Sequence, residues 1–583
     1  MIKLLKNLKK SDLVLLIISV VLIVGQVWLE LTMPDYVGEM TKLISTEGSS
    51  MHEIWMAGLK MLGCALGSAL MAVLVGCFMS KIAANFSYNI RGQVFNKISE
   101  FGVAEMKKFS IPSLITRTTN DITQVQNVIA MGFQIMIKAP ILAVWAIVKI
   151  FGKSWELSVV VMSFVAVLMV TIITVMIFAL PKFKKMQKQV DDINRVAEES
   201  LNGVKVVRAF NAEGYQQEKF EKANDNLNKT MLFAIRMLCV LQPVLTMVMS
   251  GLSLAIYYVG SLLINKAPVM TRPEVLGDVV SFSSYGVYVI MSFIMLAMIF
   301  MILPRANVSS KRINEVLDEK VGVVEGTNDY SEKLGTIEFK DVNFKYENDS
   351  DYILKDINFK VNKGQTLAVV GTSGSGKSTL INLIARLYDA TDGEVLIDGK
   401  NIKDYTFESL YSKVGYIGQK AIVFSDTIAN NVAFGETKTK VGEDEIKQAI
   451  EIAQGKEFVE NMKDGYNSEI AQGGINISGG QKQRLAIARI IAKKPEILIF
   501  DDSFSALDFK TDKKLREELK RNLKDTTSVI VASRIGTIMN ADQILVLDGS
   551  KLVGKGTHEE LLENCEVYKE IALSQLSAKE LEG

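Results

Sequence analysis

The sequence predicts a multi-domain membrane protein, in which an all-α domain of six transmembrane helices precedes a soluble α/β domain. Nearly all the long apolar runs lie before about residue 305, and six of them reach the roughly 20 residues that a helix needs to cross a bilayer. Beyond that point, short β-rich runs alternate with helical patterns, which is typical of a sheet covered by helices. We therefore expect domains at 1–310 and 336–583, joined by a linker at 311–335.

The six predicted spans are similar in length. They cover about 13–34, 54–80, 129–151, 156–180, 234–264 and 279–303. The first span follows several lysines, a pattern that also occurs in signal peptides. It is too long for a signal peptide, has no small-residue cleavage site and precedes five more spans, so we interpret it as a retained helix.

The loops between the spans predict the orientation in the membrane. Loops 81–128 and 181–233 are long and rich in Lys and Arg, whereas 35–53, 152–155 and 265–278 are short and weakly charged. The positive-inside rule then places both termini, both long loops and the soluble domain in the cytoplasm of a multi-pass cell-membrane protein. The helical periodicity of the long loops indicates two arms that need a surface to contact, and the soluble domain is the candidate surface.

Composition excludes some partners. The chain has 66 Lys and Arg against 65 Asp and Glu, so its net charge does not indicate nucleic acid or another polyanion. The four cysteines lack the CxxC spacing of metal or redox sites, and we interpret them as small apolar side chains.

A few side chains inside the spans are candidate contacts for a cargo. Glu30 lies near the outer end of the first span, where a charge is costly. It could contact a cationic cargo, but it could also reach the interface or pair with another helix. The sixth span carries methionines that suit varied apolar ligands, although packing or lipid contact is the more common role of such residues. The candidate cavity residues are Glu30, Tyr285, Met291, Met295 and Met298.

A phosphate-binding loop lies early in the soluble domain. The strand pattern TLAVV, residues 366–370, is followed by GTSGSGKST, which matches G-x-x-x-x-G-K-[ST] in its strand-to-helix context. Glycines let successive N–H groups point at phosphates, and the following helix adds its positive end. Lys377 is predicted to reach the β- and γ-phosphates, and Ser378 to bind Mg²⁺. The loop comprises Gly371, Thr372, Ser373, Gly374, Ser375, Gly376, Lys377, Ser378 and Thr379.

Two further motifs lie downstream of this loop. The run ILIF, residues 497–500, indicates a buried strand that ends in Asp501, where a carboxylate can hold Mg²⁺ opposite Ser378. A second carboxylate, Asp502, follows at once. About 20 residues earlier, small residues open a helix and again provide an anion-binding N-terminus. This segment comprises Ile477, Ser478, Gly479, Gly480 and Gln481.

Together these motifs resemble those of the ATP-binding-cassette (ABC) exporters. The resemblance implies that ISGGQ is the signature, which clamps the ATP held by a partner's phosphate loop. It also implies that SALD, ending in Asp508, is the D-loop. The stretches 109–121 and 199–213 resemble the family's two intracellular loops, whose tips press on the nucleotide domains.

The same resemblance assigns two more contacts to ATP and Mg²⁺. Tyr346 matches the aromatic residue on which adenine stacks. Gln419 matches the Q-loop residue that joins Ser378 and Asp501 at Mg²⁺, although the family's usual preceding Pro is Gly418 here.

Two departures from the family pattern concern the groups that activate water. The family's usual Glu after the strand-ending Asp is Asp502 here, and its usual switch His is Ser533. The missing methylene shortens the reach by roughly 1.3–1.5 Å, and a misplacement near 1 Å can cost about 10²-fold in rate. Both residues could be tolerated variants of an active site, but two losses from the same pair favour a site that hydrolyses poorly.

The resemblance therefore implies a heterodimeric multidrug exporter in which this chain is the subunit with the degenerate site. Its signature would complete the catalytic site of a second half-transporter that keeps the Glu and the His. Hydrophobic or cationic compounds would leave the cytoplasm or inner leaflet by alternating access. Two alternatives remain open: ATP binding could gate a membrane partner without pumping, or the cargo could be a dedicated lipid, peptide or haem.

Overall fold

The computed structural model describes residues 1–330, 334–347, 349–435, 441–504, 507–532 and 534–575. Contacts within the chain divide it into two compact units. The first unit comprises Met1–Ser99 and Ile111–Glu319, and the second comprises Glu100–Ser110 and Lys320–Gly583. A short piece of the first long loop therefore belongs to the same unit as the C-terminal half.

The first 317 residues form helices. Their bounds are α1 (Ile2–Leu5), α2 (Lys10–Ser45), α3 (Met51–Ser99), α4 (Val103–Phe109), α5 (Ile111–Thr116), α6 (Ile122–Asn127), α7 (Phe133–Phe151), α8 (Trp155–Asn202), α9 (Val204–Ala209), α10 (Glu213–Cys239), α11 (Leu241–Lys266) and α12 (Arg272–Leu317). Two π-helical turns, Arg117–Asp121 and Val128–Gly132, join α5, α6 and α7.

Six helical segments among the described residues are long and apolar enough to cross a membrane. They are Lys10–Ser45, Met51–Ser99, Ile111–Phe151, Trp155–Asn202, Glu213–Lys266 and Val269–Leu317. Each contains one predicted span, so the prediction of six helices is confirmed. Each is also longer than its span, because the polar sequence beside the span continues the same helix. The last helix runs to Leu317, so the predicted linker at 311–335 begins inside a helix.

Two helices of the first unit, α2 and α12, approach each other closely at a pair of glycines. A Cβ atom at Gly277 in α12 would lie 2.5 Å from the backbone oxygen of Gly38 in α2, closer than any side chain permits. The Ser281 hydroxyl, one turn on, donates to the backbone oxygen of Pro34 at 2.9 Å. Small residues that bring helix backbones together are a common packing device in membranes.

The second unit contains two sheets. The strands are β1 (Ile337–Phe344), β2 (Leu354–Val361), β3 (Thr366–Gly371), β4 (Asp392–Ile397), β5 (Lys400–Asn401), β6 (Val414–Ile417), β7 (Ile497–Asp501), β8 (Thr527–Val531), β9 (Gln543–Asp548) and β10 (Lys551–Gly556). One sheet has the order β2-β1-β4-β5 and is antiparallel, and the other has the order β10-β9-β3-β8-β7-β6. All pairs in the larger sheet except β10–β9 are parallel.

Ten helices accompany these sheets in the described part of the second unit after residue 320. They are α13 (Lys377–Ile384), α14 (Phe407–Lys413), α15 (Ile428–Val432), α16 (Glu443–Ile452), α17 (Lys456–Glu460), α18 (Gly479–Ala492), α19 (Phe509–Asn522), α20 (Ile535–Ile538), α21 (His558–Asn564) and α22 (Glu566–Leu573). Together with the sheets they form the α/β domain that the sequence predicted.

The central strand β3 is buried on both faces. Ala368 and Val370 pack into one apolar cluster, whereas Leu367 and Val369 pack into another. This double burial explains why the sequence reads as an uninterrupted apolar run. Because β3, β8 and β7 are parallel neighbours, their carboxyl ends lie at one edge of the sheet, where ligands of such sheets bind.

Candidate functional site

The phosphate loop follows β3 and needs glycine at two positions. A Cβ atom at Gly371 would lie 2.1 Å from the backbone oxygen of Leu547, and Gly376 has a φ of +94° with Leu354 2.8 Å from its Cβ position. Either contact would displace the loop, so both glycines are dictated by the backbone path. Helix α13 then begins at Lys377, as the motif predicted.

The Lys377 ammonium lies over the loop that would hold phosphate. Its Nζ donates to the backbone oxygens of Gly371 at 2.9 Å and Thr372 at 2.7 Å. Burial lowers the pKa of Lys377, while the charges of Asp502 and Asp501 oppose that shift. Phosphate oxygens bind ammonium groups more strongly than backbone oxygens do, so a nucleotide would draw Lys377 away from the loop. The buried Ser375 hydroxyl, which has no hydrogen-bond partner among the described residues, also fits a phosphate ligand.

Ser378 and Asp501 come together as the sequence predicted. The Ser378 hydroxyl lies 3.3 Å from Oδ1 of Asp501. Oδ2 of the same carboxylate accepts a hydrogen bond from the Tyr416 hydroxyl at 3.2 Å. Burial raises the pKa of Asp501, and the hydrogen bonds from Tyr416 and Ser378 act against that rise.

These groups fit Mg²⁺. The ion takes oxygen ligands, binds through one or two carboxylates, and keeps several waters beside the substrate phosphates. A hydroxyl and a carboxylate are the protein's share of such a site, and both are present in Ser378 and Asp501. Gln419, the third predicted ligand, follows β6 and is exposed.

Tyr346, the predicted adenine-stacking residue, lies against helix α13, which follows the phosphate loop. Its hydroxyl is 3.0 Å from that of Thr379 in α13, and its ring packs edge-on against Tyr388 at 5.3 Å between centroids. The Lys107 ammonium of α4, which belongs to the same unit, lies 5.3 Å from the Tyr346 ring centroid. An adenine ring stacked on Tyr346 would therefore lie close to the Lys107 ammonium group.

Asp502 occupies a left-handed backbone position, with φ at +48°. Its N–H donates to the backbone oxygen of Val531 at 2.9 Å, which fixes the turn after β7. Asp and Asn adopt this conformation more readily than most residues, so the shorter acid suits the turn. Ser533, the predicted replacement for the switch His, lies outside the described residues.

The predicted signature segment, residues 477–481, lies at the N-terminus of α18. Ser478 caps α18: its hydroxyl accepts from the Gln481 N–H at 3.3 Å, and its own N–H donates to the Gln481 side chain at 2.7 Å. Ser478 and Gly479 are exposed, Gly480 is half-buried, and Ile477 is buried beneath them. The first turn of a helix leaves N–H groups without acceptors inside the helix, and such groups can bind an anion.

Asp508, the predicted D-loop residue, has a local structural role. It caps α19, with its carboxylate accepting from the Thr511 N–H at 2.9 Å and the Thr511 hydroxyl at 2.7 Å. These hydrogen bonds lower the pKa of Asp508. The rest of the predicted D-loop includes Ser505 and Ala506, which lie outside the described residues.

The candidate cavity residues in the membrane differ in their contacts and burial. Glu30 accepts from Lys138 of α7 at 2.8 Å, and both side chains are largely buried. Tyr285 is fully buried and donates to the backbone oxygen of Leu31, whereas Met291 and Met298 are exposed and Met295 is half-buried.

A cavity of about 770 Å³ lies elsewhere in the first unit, between α8 and α11. Its lining includes Phe164, Val167, Met247, Gly251, Leu254 and Tyr258. Sequence reasoning did not single out these residues, because an apolar residue in a span carries no signal that separates a cavity wall from a lipid contact.

Comparisons with known proteins agree with this architecture. The family described as "ABC transporter transmembrane region" matches residues 16–293, and the family described as "ABC transporter" matches residues 354–505. An ABC transporter ATP-binding protein of Mycobacterium tuberculosis is 38% identical over 522 residues, which is 89% of this chain and 87% of the relative. One from Bacillus subtilis is 35% identical over 527 residues, 90% of each chain.

Two further similarities concern proteins with a described activity. An ATP-dependent lipid A-core flippase of Pseudomonas aeruginosa is 30% identical over 516 residues, 88% of this chain and 84% of the flippase. The solved structure of a bacterial Atm1-family ABC exporter with ATP bound has the same fold. Its TM-score is 0.77 at 23% identity, and the match covers 97% of this chain and 99% of that one. The six-helix unit, the phosphate loop beside Asp501 and these relatives together identify the chain as an ABC exporter half-transporter, a multi-pass membrane protein powered by ATP hydrolysis.

Proposed function

We propose that this chain is the subunit with the poorly hydrolysing site in a heterodimeric exporter of hydrophobic or amphipathic compounds. One observation carries the proposal. The chain combines a well-formed signature at Ser478 with a catalytic position, Asp502, whose acid is one methylene short of the family's Glu. In a homodimer both ATP sites would contain Asp502, so we infer a partner that supplies a Glu.

The signature segment also supports a heterodimer in which the two ATP sites have different roles. Ser478 and Gly479 are exposed at the N-terminus of α18. Such an exposed N-terminus is suited to the phosphates of an ATP held by another chain. ATP would dwell at this chain's own loop, and hydrolysis at the partner's loop would reset the transporter.

An exposed tip of the second long loop is also consistent with a partner chain. Helix α9 has no buried residue, and the neighbouring Leu201 and Phe210 are 75% and 78% exposed. Apolar side chains at this exposure favour a surface that is covered in the assembled protein. With both long loops in the cytoplasm, as their Lys and Arg content predicts, this tip would meet the partner's nucleotide domain.

The contacts of Glu30 bear on the charge of the cargo. Lys138 already neutralises this carboxylate, so a cationic cargo would have to displace a buried ammonium group to reach it. A neutral or amphipathic cargo needs no such exchange. The apolar cavity between α8 and α11 is the better candidate for the apolar part of such a molecule.

Purification of the chain alone, in lipid nanodiscs, tests the proposal. We expect an ATPase rate at least about 10²-fold below that of the assembled pair, because Asp502 positions water poorly. Brisk turnover by the single chain that disappears in Asp502→Asn would contradict the heterodimer. ATP-dependent uptake of a fluorescent hydrophobic amine into inverted vesicles by the pair would separate pumping from gating.

A lipid cargo is the second candidate, and the flippases among the relatives favour it. The same vesicles can carry a fluorescent lipid in one leaflet. ATP-dependent loss of that lipid from the cytoplasmic leaflet, without uptake of the amine, would replace the multidrug proposal with lipid transport.

A further inference from the structure

The carboxylate of Asp501 has one hydroxyl donor on each of its oxygens among the described residues. Ser378 is 3.3 Å from Oδ1, and Tyr416 donates to Oδ2 at 3.2 Å. The first contact belongs to the expected Mg²⁺ site. The second comes from a residue that neither the motifs nor the family resemblance assigns to any role.

The position of Tyr416 follows from the sheet. Strand β6 is parallel to β7, with Tyr416 opposite Ile499 and Ile417 opposite Phe500. Since side chains alternate along a strand, Ile499 and Asp501 point to the same face. The phenol of Tyr416 therefore extends along that face, past Ile499, and reaches the carboxylate at the strand end.

The contact is sheltered from water. Asp501 is 9% exposed, and Tyr416 is half-buried. The Tyr416 hydroxyl donates to Oδ2 at 3.2 Å, because an ionised carboxylate can only accept hydrogen bonds. A hydrogen bond to a buried charged group is stronger than one between neutral partners.

We propose that Tyr416 is a positioning residue for Mg²⁺. By holding Oδ2, its hydroxyl fixes the rotation of the Asp501 carboxylate and keeps Oδ1 directed at Ser378, where the ion binds. The last torsion of an Asp side chain is broad, so without a donor on Oδ2 the carboxylate can rotate away from that geometry. Groups that orient a metal ligand typically affect metal affinity by 10–100-fold when they are removed.

The test is a titration of nucleotide binding with Mg²⁺ on the full-length chain in nanodiscs. TNP-ATP fluorescence is measured first in EDTA and then at increasing free Mg²⁺. For Tyr416→Phe we expect EDTA affinity within about twofold of the wild type, and about a tenfold increase in the free Mg²⁺ that gives half of the metal-dependent change. Electron paramagnetic resonance of bound Mn²⁺ gives a second measurement of the ion itself.

The matched control is Tyr411→Phe, in the helix that precedes β6. The Tyr411 ring stacks on Phe407, with 5.8 Å between the ring centroids. Loss of the Tyr411 hydroxyl should leave the Mg²⁺ titration unchanged. Tyr416→Leu serves as a second variant that lacks the hydroxyl and should share the Mg²⁺ shift. An unchanged Mg²⁺ titration in Tyr416→Phe would overturn the proposal. Equal weakening of binding with and without Mg²⁺ would also overturn it, since it would show a general role in shaping the nucleotide site.

Discussion

The two proposed nucleotide-binding surfaces of the second unit differ in how many of the family's usual residues they keep. The phosphate-loop surface keeps the residues predicted to bind phosphate and Mg²⁺, including Lys377, Ser378 and Asp501. At the next position, however, it has Asp502, which is shorter than the family's usual Glu. The signature surface, at Ser478, has the complete helix N-terminus with its capping box. On the proposal above, one surface would hold ATP without positioning water well, whereas the other would serve an ATP held by a partner chain.

On this proposal, ATP binding and ATP hydrolysis depend on separable parts of one domain. Binding uses backbone N–H groups and an ammonium group, which the fold around β3 and α13 supplies. Hydrolysis adds the placement of one water molecule, which depends on the length of one side chain. A chain can lose the second function and keep the first, and substitutions that act on one surface alone should separate the two.

The largest effect is expected from the signature surface. Ser478→Arg, in the assembled pair, would place a long cation at the N-terminus of α18 and block the partner's ATP. We expect ATPase activity to fall by at least about 10²-fold. Lys377→Ala in this chain should reduce it several-fold less, because the site that it weakens contributes little hydrolysis. The measurement is the steady-state ATPase rate of each purified pair.

Ser574→Arg, at the exposed C-terminal end of α22, is the matched control and should leave the rate unchanged. If Lys377→Ala and Ser478→Arg caused equal losses, the two surfaces would be equally involved in hydrolysis. The comparison on which the heterodimer proposal is based would then be wrong.

A smaller effect, in the opposite direction, is expected at Asp502. Asp502→Glu restores the missing methylene and should raise the ATPase rate of the chain purified alone. We expect about tenfold rather than 10²-fold, because the new residue must adopt a φ of +48°, which Asp tolerates better than Glu. Combination with Ser533→His should increase the rate further.

Asp525→Glu adds the same methylene at an exposed position before β8 and is the control for this series. No increase from either Asp502→Glu or the double variant would show that some other feature limits this site. The short acid would then not explain the difference between the two surfaces.

The sequence was sufficient for the features that depend on local patterns. Six apolar runs predicted six spanning helices, and the phosphate loop was located because its glycines, Lys377 and Ser378 all lie in the short stretch 371–378. The strand before the loop was also predictable, since burial on both faces leaves an unbroken apolar run.

The contacts between distant residues could not be predicted. Tyr416 meets Asp501 across 85 positions, and Glu30 meets Lys138 across 108. The period of a strand or helix gives the face of each residue but not which neighbour lies across from it. A single sequence thus showed that Glu30 was unusual, and left open whether it pairs with another helix or contacts a cargo.

The smallest effect is expected at Tyr346. A substitution there tests whether the phosphate-loop surface binds the adenine ring of ATP by stacking. Tyr346→Ala removes the stacking platform, worth about 0.5–1.5 kcal/mol, so ATP affinity of the chain should fall about 2- to 10-fold. Tyr346→Phe keeps the ring and loses only the contact with the Thr379 hydroxyl, so its affinity should stay near that of the wild type. Equilibrium binding of radiolabelled ATP measures both affinities.

In the assembled pair, Tyr346→Ala should shorten the time that ATP stays bound while the ATPase rate hardly changes. A proportional fall in that rate would mean that the ATP held beside Asp502 is itself hydrolysed.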